Sequence, residues 1–188
     1  MISRCDWPGT DPDYIAYHDL EWGVPVREDR ALFEYLCLEG QQAGLSWITV
    51  LRKRARYRTC FKNFDIDRVA LLRDDTIEGF LNDRGLVRNR LKLYSIRSNA
   101  VACQAVRDEF GSFSTYIWSF VGGRPVDGKR KSQGDVPSSS SLSEAMSKDL
   151  KRRGFKFVGK TTCYAFMQAA GMINDHTLNC FRYHQLKQ

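Results

Sequence analysis

Hydrophobic residues recur at helical spacing along most of the chain. After Asp29, a residue type favoured at helix N-caps, apolar side chains stand at positions 32, 33, 36 and 37, which predicts one helix. Gly40 and Gly44 interrupt that apolar stripe. The same spacing predicts a second helix from about Ser46 into a basic stretch, shorter helices near 66–72 and 75–83, and a long helix over about 88–107.

The second half of the chain contains one ambiguous segment. Residues 113–121 fit either a helix or a strand, and their helical neighbours favour a helix. Residues 122–141 hold paired glycines, a proline and a run of serines, which predicts a polar loop. Ser141-x-x-Glu144 predicts a capping box at the start of the next helix, and Gly171 predicts the end of a helix that begins after Gly159. Together these elements predict an all-α fold.

Length and composition support one domain over residues 1–188, without internal repeats. No apolar run approaches the roughly 18 residues of a membrane span, and the first eight residues lack the apolar stretch of a signal peptide. We therefore expect no membrane association and a cytoplasmic, reducing location. Four cysteines lie within apolar helical patterns and predict buried free thiols: Cys37, Cys60, Cys103 and Cys163.

Positive charge is concentrated in three places. The net charge is +7, and residues 52–62 hold six basic side chains and no acidic one. Residues 84–97 hold five more, and a third cluster lies at 151–156. Such clusters are typical of proteins that bind a phosphate backbone, although a basic helix face is often only solvated surface.

Residues 76–98 have the layout of a helix-hairpin-helix. The pattern predicts a helix, a tight turn at 84–87 and a basic helix from Arg88. In this motif the backbone N–H groups of the turn and the helix N-terminus hold a phosphate, which makes Gly85 and Arg88 candidate DNA-binding residues. Val87 replaces the usual second glycine, and many helical turns look similar, so the layout is not specific by itself.

Two cysteines and two histidines lie at opposite ends of the chain: Cys5 and His18 near the start, His176 and Cys180 near the end. On a helix, the i, i+4 spacing of the second pair would place an imidazole and a thiolate on one face. Tetrahedral Zn²⁺ favours such a set, and four protein ligands leave no open position for catalysis. This predicts one structural zinc ion joining the termini. The spacing matches no standard zinc finger, so a capping histidine with small buried cysteines is the alternative.

Glu39 is a carboxylate without a local partner. Between Arg30 and Arg52 the only acidic residues are Glu34 and Glu39; Arg30 predicts a helical ion pair for Glu34, and nothing charged lies at helical spacing from Glu39. If Glu39 is buried, it needs a partner from elsewhere or a cationic or hydrogen-bonding ligand. An exposed glutamate beside core aromatics is the alternative. The aromatic residues that would form a pocket for a planar cation are Trp7, Tyr14, Tyr17, Trp22 and Trp47.

Five ordered motifs run through the chain and are specific as a set. They are YIAYHD at 14–19, EWGVP at 21–25, LEGQQAGLSW at 38–47, RRGFKFVG at 152–159 and NDH at 174–176. In these motifs, and over essentially its whole length, the chain resembles the bacterial 3-methyladenine DNA glycosylase I (Tag) family.

The resemblance implies a helix-hairpin-helix DNA glycosylase fold with a zinc ion joining the termini. It places the zinc ligands at the same four residues, Cys5, His18, His176 and Cys180. It implies that Glu39, Tyr17 and Trp47 line the base pocket, with Trp7, Tyr14 and Trp22 nearby. It also implies that Gly44 and Leu45 contact DNA and fill the gap left by a flipped base, for which a core leucine is the alternative.

The expected activity is hydrolytic release of 3-methyladenine from alkylated double-stranded DNA. Alkylation at N3 makes the base cationic and weakens its glycosidic bond, so the enzyme must extract, hold and release the base. Strand cleavage needs an amine nucleophile, and the first lysine is Lys53, which favours an abasic product with an uncut strand. We expect a monomer without an obligate protein partner. A lesion-binding module without excision, or an RNA-binding helical domain, are the alternatives.

Overall fold

Ten α-helices account for most of residues 2–187, the part of the chain that the computed structural model describes. They are α1 (Pro12–Leu20), α2 (Asp29–Gln42), α3 (Trp47–Cys60), α4 (Ile66–Ala70), α5 (Asp74–Phe80), α6 (Arg90–Phe110), α7 (Phe113–Ser119), α8 (Ser141–Arg152), α9 (Lys160–Ala169) and α10 (Phe181–Leu186). The only strands described, β1 (Val126–Asp127) and β2 (Ile173–Asn174), have two residues each. The structure is therefore mostly helical, as predicted, and 113–119 is a helix. No helix in the described range is long and apolar enough to cross a membrane.

Helix α2 runs through the centre of the core. It packs against α3, α6, α7 and α9, and Leu32, Phe33 and Leu36 have no exposed surface. Because neighbours surround it on several sides, α2 also buries its polar residues Glu34, Glu39 and Gln41. The central position of this helix thus forces carboxylates and an amide into the interior.

Several predicted boundaries shift by one or two residues. The cap of α2 is Glu28, and Asp29 instead accepts hydrogen bonds from the backbone N–H groups of Phe113 and Ser114 at the start of α7. The capping box predicted at Ser141 and Glu144 is wrong, because Ser140 and Ser143 form it. In both cases a neighbouring residue with a suitable side chain occupies the capping position.

The end of α9 is confirmed as predicted. Gly159 is its N-cap, and Gly171 follows the last turn with φ of 68°. A Cβ at Gly171 would lie 2.4 Å from the backbone of Val24, so glycine is required there by both conformation and space.

The segment 122–141 is more structured than a polar loop. Within it, β1 pairs in parallel with β2, in the register Val126 to Ile173 and Asp127 to Asn174. An isolated bridge between Arg130 and Thr177 continues this pairing. A short 3₁₀ turn follows at Gln133–Asp135. The pairing anchors the segment against the C-terminal part of the chain.

The predicted helix-turn-helix layout lies between α5 and α6. Helix α6 begins at Arg90, two residues later than predicted, because the side chain of Asn89 caps it by accepting from the N–H of Lys92. In the turn, the N–H of Gly85 donates to the carboxylate of Asp83, and the N–H of Val87 donates to the hydroxyl of Tyr57. Two turn N–H groups are thus already bonded within the protein.

Candidate active site and metal centre

One cavity of about 200 Å³ brings together all six predicted pocket residues. Trp7 precedes α1, Tyr14 and Tyr17 lie on α1, and Trp22 follows it. Glu39 comes from α2 and Trp47 opens α3. The remaining lining residues are Gln42, Gln133, Val136, Ala165 and Gln168.

Aromatic rings form most of the cavity wall. The ring centroid of Trp7 lies 5.2 Å from those of both Tyr14 and Trp22, in edge-to-face arrangements. The rings of Tyr17 and Trp47 are 5.4 Å apart. Their packed arrangement leaves a slot with flat faces, which suits a planar heteroaromatic ligand.

Glu39 is the single carboxylate of this cavity, and the alternative of an exposed glutamate is wrong. Its side chain is 5 % exposed, and within residues 2–187 no hydrogen bond or ion pair reaches it. Desolvation by burial raises the pKa of Glu39 from 4.5 to about 8. A ligand that is cationic or donates hydrogen bonds would relieve this cost.

Further hydrogen-bonding capacity is left open around the cavity. The indole N–H groups of Trp7 and Trp47 are buried without a partner in the described structure. Tyr14, in contrast, is committed to the scaffold, because its hydroxyl accepts from the backbone N–H of Ile48 in the first turn of α3. The unpaired groups can therefore serve a ligand.

Five lining residues of the cavity were not predicted from the sequence. Gln42 could have been found, because it lies one helical turn after Glu39 on α2. Gln133 and Val136 come from the segment anchored by β1, and Ala165 and Gln168 from α9; only the tertiary fold brings them to the cavity. The side-chain N–H of Gln168 donates to Asp175, which fixes the orientation of its amide.

The predicted metal ligands form one buried cluster. The ligand atoms of Cys5, His18, His176 and Cys180 all lie within 4.8 Å of one another. The Sγ of Cys180 is 3.5 Å from Nε2 of His18 and from Nδ1 of His176, and the Sγ of Cys5 is also 3.5 Å from that Nδ1. Tetrahedral bond lengths for zinc place sulfur and nitrogen ligands about 3.5 Å apart. The cluster thus fits a metal ion of that kind.

Surrounding groups orient these ligands. Nδ1 of His18 lies 2.7 Å from the carboxylate of Asp19, which also accepts a hydrogen bond from Arg4. Nε2 of His176 lies 3.0 Å from the carbonyl oxygen of Trp22. Each imidazole therefore points its other nitrogen into the cluster. The interaction between the two thiols lowers the pKa of Cys180 and raises that of Cys5, so Cys180 is the one that more readily takes the thiolate form that binds metals.

The expectation that His176 and Cys180 share a helix is wrong. Both lie in the turn before α10, where the N–H of Cys180 donates to the carbonyl oxygen of Thr177, and Cys180 is the N-cap of α10. The bridge between Thr177 and Arg130 keeps this segment out of a helix. A tight turn brings the two ligands together instead.

The Cys/His cluster and the cavity share a wall. The ring of Trp7 lies 5.4 Å from that of His18, and the ring of Trp22 lies 4.6 Å from that of His176. Both tryptophans also line the cavity. Two cavity residues are thus packed directly on the ligand histidines.

Gly44 and Leu45 lie in the connection between α2 and α3, beside the cavity. Leu45 is 42 % exposed, so the alternative of a core leucine is wrong. Gly44 has φ of 78°, a conformation that favours glycine. An exposed leucine at the rim can reach a ligand outside the protein.

Most of the cations in the basic run at 52–62 are occupied by ion pairs within the protein. The pairs are Arg52 with Asp11 and Asp13, Arg54 with Glu21, Arg56 with Asp83, and Arg58 with Glu34. The predicted pairing of Glu34 with Arg30 is therefore wrong, since Arg30 lies beside Glu28 instead. The run contributes less free positive charge than the sequence indicates.

The hairpin retains two exposed arginines without a carboxylate partner in the described range. Arg90 and Arg97 pair with acidic residues of α5, but no ion pair involves Arg84 or Arg88. Arg88 lies just before the N-terminus of α6, where helix geometry also favours anions. This end of α6 is the most suitable place in the hairpin for a phosphate.

The fold and the site together define a helical protein with a cavity that suits a planar ligand and a buried Cys/His cluster, able to hold a metal ion, that joins its two ends. The family model for methyladenine glycosylase matches residues 7–183, and the chain belongs to this family.

Curated and structural relatives agree with that placement. The chain is 49 % identical over 182 residues to DNA-3-methyladenine glycosylase 1 of Escherichia coli, covering 97 % of each chain. It is 47 % identical to DNA-3-methyladenine glycosylase of Haemophilus influenzae, covering 96 % of this chain and 97 % of the other.

Among solved structures, a crystal structure of 3-methyladenine DNA glycosylase I matches with a TM-score of 0.93 and 52 % identity, covering 95 % of this chain and 98 % of the other. A Staphylococcus aureus 3-methyladenine DNA glycosylase I, solved to explain 3-methyladenine recognition, matches with a TM-score of 0.92 and 36 % identity, over 95 % of each chain.

Proposed function

We propose that this protein is a DNA glycosylase that hydrolyses the bond between 3-methyladenine and deoxyribose in alkylated double-stranded DNA. The observation that carries the proposal is Glu39, a buried carboxylate inside an aromatic cavity that no counter-ion from the described part of the chain reaches. A base that is planar and positively charged satisfies both the flat walls and the carboxylate. Family membership supports the same activity.

The residues of the cavity make different contacts with this base. Glu39 accepts hydrogen bonds from the adenine edge and favours its cationic form, Tyr17 adds a second polar contact, and Trp47 supplies a stacking face, with each contact worth about 1–3 kcal/mol. Trp7, Tyr14 and Trp22 complete the wall. Recognition, rather than strong base catalysis, is the main role of Glu39.

The chemistry needs little help from the protein because the substrate is activated. When the glycosidic bond breaks, its electron pair moves to the cationic base, which leaves neutral. Water then bonds to the sugar carbon and loses a proton. The enclosed cavity shields the developing sugar cation and admits that water.

Access to the base requires extrusion from the duplex. Leu45, exposed at the rim beside Gly44, would enter the stack and fill the gap left by the flipped nucleotide. The hairpin would hold a phosphate near Arg88, with Gly85 shaping the turn. The product is an abasic site in an uncut strand, because among the described residues no lysine lines the cavity to form a Schiff base.

The metal centre is assigned to one structural zinc ion, bound by Cys5, His18, His176 and Cys180. Four protein ligands complete a tetrahedron, so the ion supplies stability and takes no part in the chemistry. The protein acts as a monomer without an obligate protein partner.

Base release under single-turnover conditions tests this function. Alkylated duplex DNA is incubated with excess protein, free bases are separated by chromatography, and strand integrity is examined on a denaturing gel. Selective release of 3-methyladenine with intact strands is expected. DNA binding without any released base would overturn the proposal and leave a lesion-binding protein.

A further inference from the structure

Lys92 is a buried lysine near the start of α6 that no ion pair neutralises within residues 2–187. Its residue is only 7 % exposed. Its ammonium donates to the backbone carbonyl oxygens of Gln41, at 2.9 Å, and Ala43, at 2.6 Å. These carbonyls belong to the end of α2, where the helix leaves acceptors unpaired and its dipole favours a cation. Lys92 thus caps a helix from a different element.

The capped end of α2 is the point at which the exposed leucine loop departs. Ala43 ends the helix, Gly44 takes the left-handed conformation, and the N–H of Leu45 donates back to the carbonyl oxygen of Gln42 at 2.6 Å. A clamp on Ala43 therefore fixes the backbone immediately before Leu45. Without it, the short connection to α3 would gain freedom at Gly44.

A second connection joins the same helix end to the hairpin turn. The N–H of Val87 donates to the hydroxyl of Tyr57 at 3.1 Å, and that hydroxyl donates to Oε1 of Gln41 at 3.0 Å. The amide N–H of Gln41 then donates to the carbonyl oxygen of Lys92 at 2.8 Å. Gln41 and Tyr57 have no exposed surface, so these bonds form a dry, closed network with few alternative partners.

We propose that Lys92, Gln41 and Tyr57 form a positioning unit that fixes the Gly44–Leu45 loop relative to the hairpin. When the hairpin binds a phosphate, this unit places Leu45 where it can insert into the duplex. This rests on the proposed function, because it assigns how two parts of that site are held in register. The unit does not touch the base cavity: none of its three residues lines it.

The decisive variant is Lys92→Met, which keeps the side-chain length and removes the ammonium. The maximal single-turnover rate of 3-methyladenine release should fall about tenfold, because Leu45 is no longer held for insertion. The DNA concentration at half-saturation should change less than threefold. The affinity and the stoichiometry of binding to free 3-methyladenine should each change less than twofold. Lys148→Met, at an exposed lysine of α8, is the charge-matched control and should behave as wild type.

A double-mutant cycle separates positioning from general destabilisation. If Lys92 acts through the loop, Lys92→Met should lower the rate less than twofold in a Leu45→Ala background. The inference would be overturned if the effects of the two substitutions on the rate multiplied fully in the double variant. It would also be overturned if Lys92→Met released base at the wild-type rate, or if it lost free-base binding in parallel with its rate. If wild-type protein released no base, the proposed function would fail instead.

Tyr57→Phe provides an independent route, and decides the question if Lys92→Met does not fold. It removes one hydroxyl and so cuts the link between Val87 and Gln41, and a threefold to tenfold fall in the maximal rate is expected, again suppressed by Leu45→Ala. Tyr94→Phe, which removes a hydroxyl that contacts Glu78 on the other side of the hairpin, is the matched control. Equal rates for the two phenylalanine variants would contradict the proposal.

Discussion

The side chain of Glu39 places a carboxyl group in the core, where burial raises its pKa to about 8. An uncompensated buried charge normally makes a protein less stable, so the position is explained best by what it does when a ligand is present. Tyr17 and Trp47 adjoin it in the cavity, and the indole N–H of Trp47 also has no hydrogen-bond partner among residues 2–187. These residues therefore favour recognition of a cationic base that donates hydrogen bonds.

Replacing Glu39 by glutamine tests that role. Glu39→Gln removes the charge and keeps the shape, so we expect binding of free 3-methyladenine to weaken about 10- to 100-fold, the worth of a charge-assisted hydrogen bond. The maximal rate of base release at saturating DNA should fall less. Calorimetric titration of the base and single-turnover kinetics measure the two quantities.

Glu144→Gln is the matched control, because Glu144 lies on α8 and pairs with Lys160 at the surface. It should leave both quantities unchanged. A near-complete loss of rate in Glu39→Gln with intact base binding would refute the recognition role and make Glu39 a base catalyst.

The raised pKa of Glu39 also predicts how stability depends on pH. In the unfolded chain the carboxyl loses its proton near pH 4.5, but in the folded protein only near pH 8. Burial of Glu39 therefore does not reduce the free energy of unfolding below pH 4.5. The reduction grows between pH 4.5 and 8 and is complete above pH 8. Glu39→Gln should be more stable than wild type at pH 8.5, by a few kcal/mol at most, and nearly equal to it at pH 4.5.

Denaturant unfolding of both proteins at the two pH values measures this difference. Because other carboxyl groups titrate in both proteins alike, the difference between them isolates Glu39. A constant difference across this range would mean that Glu39 is not desolvated in the free protein.

The hairpin contributes arginine charge that is unpaired within residues 2–187, whereas the arginines of α3 are held in ion pairs. Arg88 has no carboxylate partner in the described range, whereas Arg52 on α3 is held by Asp11 and Asp13. Arg88→Gln should weaken duplex binding irrespective of sequence and reduce the slope of log affinity against log salt by about 1. Fluorescence anisotropy at several salt concentrations measures the slope.

Arg52→Gln is the control for this prediction. Its guanidinium already has two partners, so no counterion is released when DNA binds, and the salt slope should stay at the wild-type value. Equal reductions in the two variants would show that ion-paired arginines of α3 contribute as much as the hairpin does.

The elements also show which features of the fold can be predicted from sequence. Helical spacing and cap residues predicted eight of the ten described helices, α2 to α9, whereas α1 and α10 were not predicted. Pairing between distant residues was not visible: the strand at 126–127 depends on residues 173–174, and the arginines of α3 find acids from four separate segments. Gln133 and Gln168 reached the cavity unpredicted for the same reason.

For the molecule as a whole, the buried Cys/His cluster brings the two ends of the chain together. Cys5 and His18 meet His176 and Cys180 within 4.8 Å. The residue types alone suggested this site, although the helix assumed for the second pair proved to be a turn. A link between two segments so far apart in sequence removes much freedom from the unfolded chain, so metal binding should stabilise the entire fold.

Cys180→Ser tests the structural role of the metal. Loss of one ligand should lower zinc content, measured by atomic emission, and should lower the free energy of unfolding by about 3 kcal/mol or more, which corresponds to a fall in Tm of about 6–12 °C. Cys163→Ser is the matched control, since Cys163 is an equally buried thiol, outside the cluster, whose Sγ contacts the carbonyl oxygen of Val158. It should retain zinc and most of the stability. At temperatures where Cys180→Ser stays folded, base release should persist if the ion is structural, as proposed. Abolished release with unchanged stability would instead assign the metal to catalysis.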